Sequence, residues 1–294
     1  GGTPSLVGAD AIATILTAVR QDASISPTAE VTIEANPEDV TPSLAAGLEA
    51  AGVNRVSLGV QSFDPAVLGW MHRVHGPAQP GLAVAALRAA GLTNLSLDLI
   101  YGIPDTFRRD WAADLDQALA LEPSHLSLYG LTVEDHTPLG RWVARGSAVP
   151  AADPAAAAEY LMAHDRLGGA GYDHYEVSNA ARPGAESRHN RAYWRRAPYL
   201  GLGPSAHSAI GNQRWWNIRD WAAYRVTLLG GGEVVAGKEV LAPEQVALEE
   251  VYLGLRTDQG RPASSLPVDV VSRWQAAGWA GRNGSQVILT VEGW

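Results

Sequence analysis

The sequence of 294 residues contains no cysteine. Disulfides, thiolate nucleophiles and cysteine-ligated metal centres are therefore excluded from the chemistry of these residues. Lysine is almost absent too: Lys238 is the only one, and arginine supplies the remaining positive charge. At a formal net charge of -9 the chain lacks the basic excess of a phosphate-backbone binder, which argues against nucleic acid as a partner. No apolar run approaches the ~20 residues that cross a bilayer. Gly1-Gly2-Thr3 is unlike a secretory leader. The reading is of a cytoplasmic protein that is not an integral membrane protein.

What is present reads as a folded chain. Apolar residues make up 46% and charged residues 18%, a balance that supports a packed core rather than disorder. Four short β-like runs stand out in the first half: Val31 to Glu34, Arg55 to Gln61, Asn94 to Tyr101 and His125 to Leu131. Alanine- and leucine-rich stretches with helix punctuation lie between them. Thr41-Pro42 supplies an N-cap and a first helical position, and Gly52 a stop. A second helix runs through Leu82 and Leu87 to Gly91, and a third from about Thr106 to the stop at Pro123. The unit repeats in its letters: Leu48-Glu49-Ala50-Ala51-Gly52-Val53-Asn54 is echoed by Leu87-Arg88-Ala89-Ala90-Gly91-Leu92-Thr93. Strands alternating with helices predict an α/β fold with parallel pairing, either doubly wound or a barrel.

Side-chain alternation favours the barrel. Ile33, Val56/Leu58/Val60, Leu95/Leu97/Leu99 and Leu126/Leu128 form one apolar phase. The other phase is small or polar, with Glu34, Gln61, Asp98 and Tyr129 towards the strand ends. A doubly wound sheet is apolar on both faces, whereas one polar phase fits a barrel with a wet or ligand-filled lumen. The C-terminal rim is where such a barrel binds its ligand. Glu34, Gln61 and Asp98 offer acceptors and a donor to a ribose or an amino acid, and Arg73 offers a guanidinium to a carboxylate. The same Glu34 and Asp98 also suit the acid/base pair of a barrel glycosidase, a reading that stays open on the residues alone.

The second half differs. Ala151 to Gly171 reads as a long helix and Tyr172 to Val177 as a strand, followed by an aromatic- and arginine-rich segment from His189 to Trp221. From Pro243 the order helix, short helix, helix and the strand Gln286 to Thr290 predicts a small winged-helix-like module with a packing role. The expected parts are residues 1–150, a partial (β/α) barrel; 151–242, its extension with the aromatic and histidine segment; and 243–294, the winged-helix-like domain.

Several motifs occur in one order: Gly1-Gly2-Thr3-Pro4-Ser5, Thr32-Ile33-Glu34-Ala35-Asn36-Pro37, Gly59-Val60-Gln61-Ser62-Phe63 and Asp98-Leu99-Ile100-Tyr101-Gly102. Together they resemble the radical S-adenosylmethionine family that contains oxygen-independent coproporphyrinogen III oxidase and its haem-chaperone relatives. The resemblance implies a TIM-like radical-SAM barrel. It implies that Gly2, Thr3, Glu34, Gln61, Arg73 and Asp98 contact S-adenosylmethionine. His189-Asn190-Arg191-Ala192-Tyr193-Trp194 resembles a His-Asn-x-x-Tyr-Trp motif of the haem chaperones. That implies a haem site at His189, Tyr193 and Trp194, where histidine suits an iron and the aromatic rings a porphyrin face. The implied function is haem binding and transfer to haem-accepting proteins, with coproporphyrinogen III dehydrogenation as the alternative. His125, His136, His164 and His174 show no ligand spacing and read as structural or exposed. No catalytic residue is assigned.

One departure matters. The family holds a [4Fe–4S] cluster on a three-cysteine loop that precedes its Gly-Gly-Thr-Pro turn. The resemblance therefore places those cysteines upstream of Gly1, and predicts a barrel lacking its first strands.

Overall fold

The computed structural model describes residues 3–134, 137–146, 149 and 151–294. Gly2 and His136 lie outside the described residues. The chain divides into two compact units, residues 2–186 and 187–294.

The first unit is a six-stranded sheet with helices. Its strands are β1 (Thr32–Ala35), β2 (Arg55–Gln61), β3 (Leu95–Tyr101), β4 (His125–Gly130), β5 (Asp173–Glu176) and β6 (Asn179–Ala181). The order is β1-β2-β3-β4-β6-β5. The first four strands pair in parallel, as crossover helices require, and β6 runs antiparallel to both β4 and β5. The helix Pro42–Ala51 that joins β1 to β2 begins where the Thr41 hydroxyl accepts a hydrogen bond from the Leu44 amide at 3.1 Å. It stops at Gly52, whose φ of 92° is the left-handed conformation that glycine adopts without strain. Asp110 caps the helix Trp111–Ala120 in the same way.

Register explains the two phases. Leu58 is paired with Leu97, and Leu97 with Leu126, so one phase forms apolar rows across the sheet. These leucines are fully buried against Ala45, Leu48, Val84, Leu87 and Leu115 of the helices. Each buried leucine contributes about 2 kcal/mol, which makes this layer the main source of stability. The opposite phase forms two polar rows, Ser57/Ser96/His125 and Gly59/Asp98/Ser127. The helix Asp153–Gly169 buries Tyr160, Ala163 and Leu167 and leads into β5 and β6. Residues 151–186 of the expected extension thus lie in the first unit, where Asp173–Glu176 and Asn179–Ala181 join the barrel sheet, and residues 187–242 lie in the second unit.

The second unit holds two small antiparallel sheets. One is β7 (His207–Ile210), β8 (Gln213–Asn217) and β9 (Val235–Val240). The other, in the order β10-β12-β11, is β10 (Arg261–Pro262), β11 (Ala280–Asn283) and β12 (Gln286–Leu289). With the helices Pro243–Gly254 and Val268–Ala276, this sheet makes the winged-helix-like module around Leu255, Leu266, Val271, Ala280 and Val287. No helix among the described residues is long and apolar enough to cross a membrane.

Candidate functional site

The C-terminal ends of β1, β2 and β3 bring together five of the six residues expected at S-adenosylmethionine. Glu34 is exposed on β1. Gln61 ends β2 after a bulge and has a φ of 68°. Arg73 reaches back from the loop after β2 and donates one nitrogen to both the Gly59 carbonyl, at 2.7 Å, and the Asn36 side-chain oxygen, at 2.8 Å. The Asn36 amide in turn donates to the Thr3 hydroxyl at 3.3 Å. Asn36 therefore ties Thr3 to Arg73, a linkage that its place beside Glu34 and Pro37 did not reveal.

Gly59 lets Gln61 and Arg73 close over the strand at the centre of this knot. A Cβ on Gly59 would stand 2.9 Å from the Gln61 amide nitrogen and 3.1 Å from the Arg73 guanidinium. The Arg73 Nε is buried without a partner among the described residues. Such an orphan costs about 1–3 kcal/mol unless a ligand satisfies it. His75 supports the loop from beneath, with one ring nitrogen 2.9 Å from Glu38 and the other 3.1 Å from the Val60 carbonyl. Buried Asp114 holds the same loop through the Ser62 hydroxyl and the Phe63 amide.

Asp98 sits deeper in the polar phase. The Ser57 hydroxyl donates to it at 2.8 Å and the Ser96 hydroxyl at 3.3 Å. Burial raises its pKa to about 6; hydrogen bonds from Ser57, Ser127 and Ser96 oppose the rise, and the negative charge of Glu34 adds to it. Its surface is only partly covered, yet protein atoms surround the carboxyl closely, and that surrounding decides its ionisation. The chain of contacts continues inward. Ser96 lies 2.8 Å from His125, whose other nitrogen lies 2.8 Å from the Tyr175 hydroxyl. Burial, and then the positive charge of Arg55, lowers the His125 pKa well below the usual histidine value. The imidazole is thus a neutral structural element.

Beside Gln61 and Arg73 opens an apolar pocket of about 290 Å³, walled by Trp70, Trp142, Ile100 and Leu131. The Trp70 ring lies 5.0 Å from Phe107 and 6.3 Å from Trp142. A site with charged and amide groups on one side and flat apolar walls on the other suits a polar, charged molecule with an aromatic part. The chain has no cysteine, and among the described residues no group of three histidine or acidic side chains could hold a metal. The charged and amide groups of the rim, with its apolar wall, have the chemistry that S-adenosylmethionine would need, and the residues present supply no thiolate to an iron–sulfur cluster.

The expected haem residues lie in the second unit, on the helix Arg188–Trp194, which Ser187 caps by accepting from the Asn190 amide. His189 and Tyr193 share a face, as i and i+4 do, with ring centroids 4.6 Å apart and nearly perpendicular planes. Tyr193 meets Tyr199 in the same manner at 4.7 Å. His189 and Tyr193 are both exposed, as are Leu200 and Leu202 in the glycine-rich turn that follows. Trp194 points elsewhere, turned about 140° around the helix from His189. It lines a cleft with Arg191, Arg195 and Arg196. His207 is exposed near Trp216 rather than grouped with these rings.

Residues 1–118 match the family model of the Radical SAM superfamily. The haem chaperone HemW of Mycobacterium tuberculosis is 41% identical over 296 residues, covering all of this chain and 76% of that protein. HemW of a Synechocystis species is 38% identical over 270 residues, covering 91% of this chain and 65% of its own length. Coproporphyrinogen III oxidase (HemN) from Escherichia coli, a solved structure, shares the fold. The TM-score is 0.81 at 21% identity, and the match covers the whole of this chain and 73% of the other. The identity and reach of these matches, with the polar-lumened sheet and the rim residues above, place the chain in the HemW family of haem chaperones, within the Radical SAM superfamily.

Proposed function

We propose that the chain binds haem at the His189 face of its second unit and delivers it to haem-accepting proteins in the cytoplasm. The observation that carries this reading is the pairing of an exposed histidine with an exposed tyrosine one helical turn away, with exposed leucines in the segment that follows the helix. A histidine so placed offers a nitrogen to iron, and the tyrosine and leucines offer a porphyrin face a low-cost apolar surface. An open face rather than a closed pocket suits a ligand that must be handed on.

S-adenosylmethionine is proposed for the rim of the first unit, held by Thr3, Glu34, Gln61, Arg73 and Asp98. When bound, this cofactor supplies radical chemistry in members of the superfamily that carry a reduced cluster. The residues of this chain would do three things. Arg73, fixed by Asn36 and Gly59, meets a carboxylate with its Nε, which has no partner among the described residues. Glu34 and Asp98 accept from hydroxyl or amine groups. The Trp70 and Trp142 walls exclude water from an aromatic portion.

Haemin titration tests the haem site. Wild-type protein is expected to give a shifted Soret band with saturable binding. His189→Ala is expected to change the band and weaken binding by about tenfold, equal to 1.4 kcal/mol. An unchanged band and affinity in His189→Ala would overturn the assignment.

A further inference from the structure

The helix that carries His189 has a second face. Arg191, Trp194 and Arg195 turn away from the His189–Tyr193 pair and line a cleft of about 270 Å³, closed by Arg196, Thr257 and Arg261. Four guanidinium groups thus border one small space in a chain whose net charge is -9.

Carboxylates hold three of the arginines, two of them (Asp258 and Glu249) from outside the cleft and one, Glu250, from its wall. Asp258 takes Arg191 in a two-point pair. Glu249 holds the Arg196 Nε at 2.6 Å, and Glu250 holds one terminal nitrogen of Arg261 at 3.0 Å. Glu250 takes one edge of the Arg261 guanidinium, which carries five N–H groups. The Arg261 Nε is buried without a partner among the described residues. Arg195 is exposed and makes no ion pair with any described residue. The cleft is also a built space. A Cβ on Gly254 would fall 2.3 Å from the Arg261 side chain, so glycine there is what lets Arg261 lie against the helix. Gly260, at a φ of 61°, leaves no room for a Cβ beside the Val287 carbonyl.

We infer that this cleft is an oxyanion site, separate from the His189 face, that takes the carboxylate or phosphate group of a small acid with Trp194 against its body. Planar guanidinium donors held at fixed angles are the chemistry that recognises these groups. The volume lies at the lower end of ligand pockets, which fits a small acid or one acidic arm of a larger molecule and excludes a whole porphyrin.

Calorimetric titration of the full chain with succinate and with inorganic phosphate tests the site. Saturable binding of at least one, with Kd below about 10 mM, is expected. Arg195→Glu, a change at an exposed side chain that leaves the fold intact, is expected to weaken it by about tenfold. Arg261→Gln is expected to do the same, checked by circular dichroism for folding. The order of affinity between the two acids assigns carboxylate or phosphate. His189→Ala is expected to keep the oxyanion affinity while losing the haemin signal, so this site and the haem reading fail independently. A haemin affinity lowered by added succinate identifies the acid as an arm of haem, and an unchanged one identifies a separate acid. No binding of either acid, or an Arg195→Glu protein that binds like the wild type, overturns the proposal.

Discussion

The two units spend their polar residues differently. In the first, serines, Asp98, His125 and Tyr175 are turned into the sheet's inner phase and joined to one another, while an apolar leucine layer backs them. In the second, the core is five small or medium apolar residues, and arginine–carboxylate pairs lie at the surface. A buried network fixes its members because each lost bond leaves an unsatisfied group. A network nearer the surface is screened by water, so each of its pairs contributes less than a buried bond of the first unit. The difference matches the proposed ligands: a rim built in advance for a cofactor, and an open surface for a molecule that arrives and leaves.

The largest test of this contrast is Leu97→Ala in the leucine layer. Leu97 is fully buried in its row between Leu58 and Leu126, so the cavity has little room to collapse, and a loss of about 3–5 kcal/mol is expected. Val287→Ala in the second unit removes fewer methyl groups from a smaller core and is expected to cost about half as much. Urea unfolding of both variants measures the two losses; equal values would remove the contrast.

The next effect concerns pH. Asp98 has a folded pKa of about 6 against an ordinary value of 3.8, so the folded state binds its proton more tightly than the unfolded state. Its contribution is therefore greatest below the unfolded value and is lost as pH rises through about 6. The full swing is about 3 kcal/mol. Asp98→Asn removes the ionisation and is expected to flatten this part of the stability profile between pH 4 and 7. Denaturant midpoints across that range check it, and a profile parallel to the wild type would show that the carboxyl is not desolvated.

The smallest effect is the most local. Asn36→Ala cuts the link between Thr3 and Arg73 without touching the leucine layer. Affinity for S-adenosylmethionine is expected to fall about three- to tenfold, with thermal stability changed by about 1 kcal/mol. Asn36→Asp, which keeps the acceptor for Arg73 but loses the donor to Thr3, is expected to fall between. Equilibrium dialysis separates the three proteins.

Much of the barrel could be read directly from the chain because its signals are local. Thr41, Pro42 and Gly52 bound a helix by their own backbone chemistry, and the alternation of Leu95, Leu97 and Leu99 with Ser96 and Asp98 states which phase is dry. The rim residues Gln61 and Asp98 fell on the wet phase for the same reason. Other features depend on partners far along the chain. Arg55 is a charged residue at the start of a strand, yet it is buried, with a nitrogen on Asn94 and on the Ala185 carbonyl. The role of Asn36 needs Thr3 and Arg73 at once. His164 and His174 lack ligand spacing in sequence, but they stack with ring nitrogens 2.8 Å apart once helix and strand meet. Trp194 was grouped with His189 by motif, whereas helical geometry separates them.

Gln61 carries a left-handed backbone in a residue with a Cβ, at a cost of about 1–2 kcal/mol relative to glycine. The fold could recover that energy by exchanging the side chain for hydrogen, and the ligand rim would lose its amide. Selection for heat resistance alone would therefore drift towards glycine at this position, whereas selection for cofactor retention would hold glutamine against it. Which of the two pressures governs a lineage would be visible in this one codon.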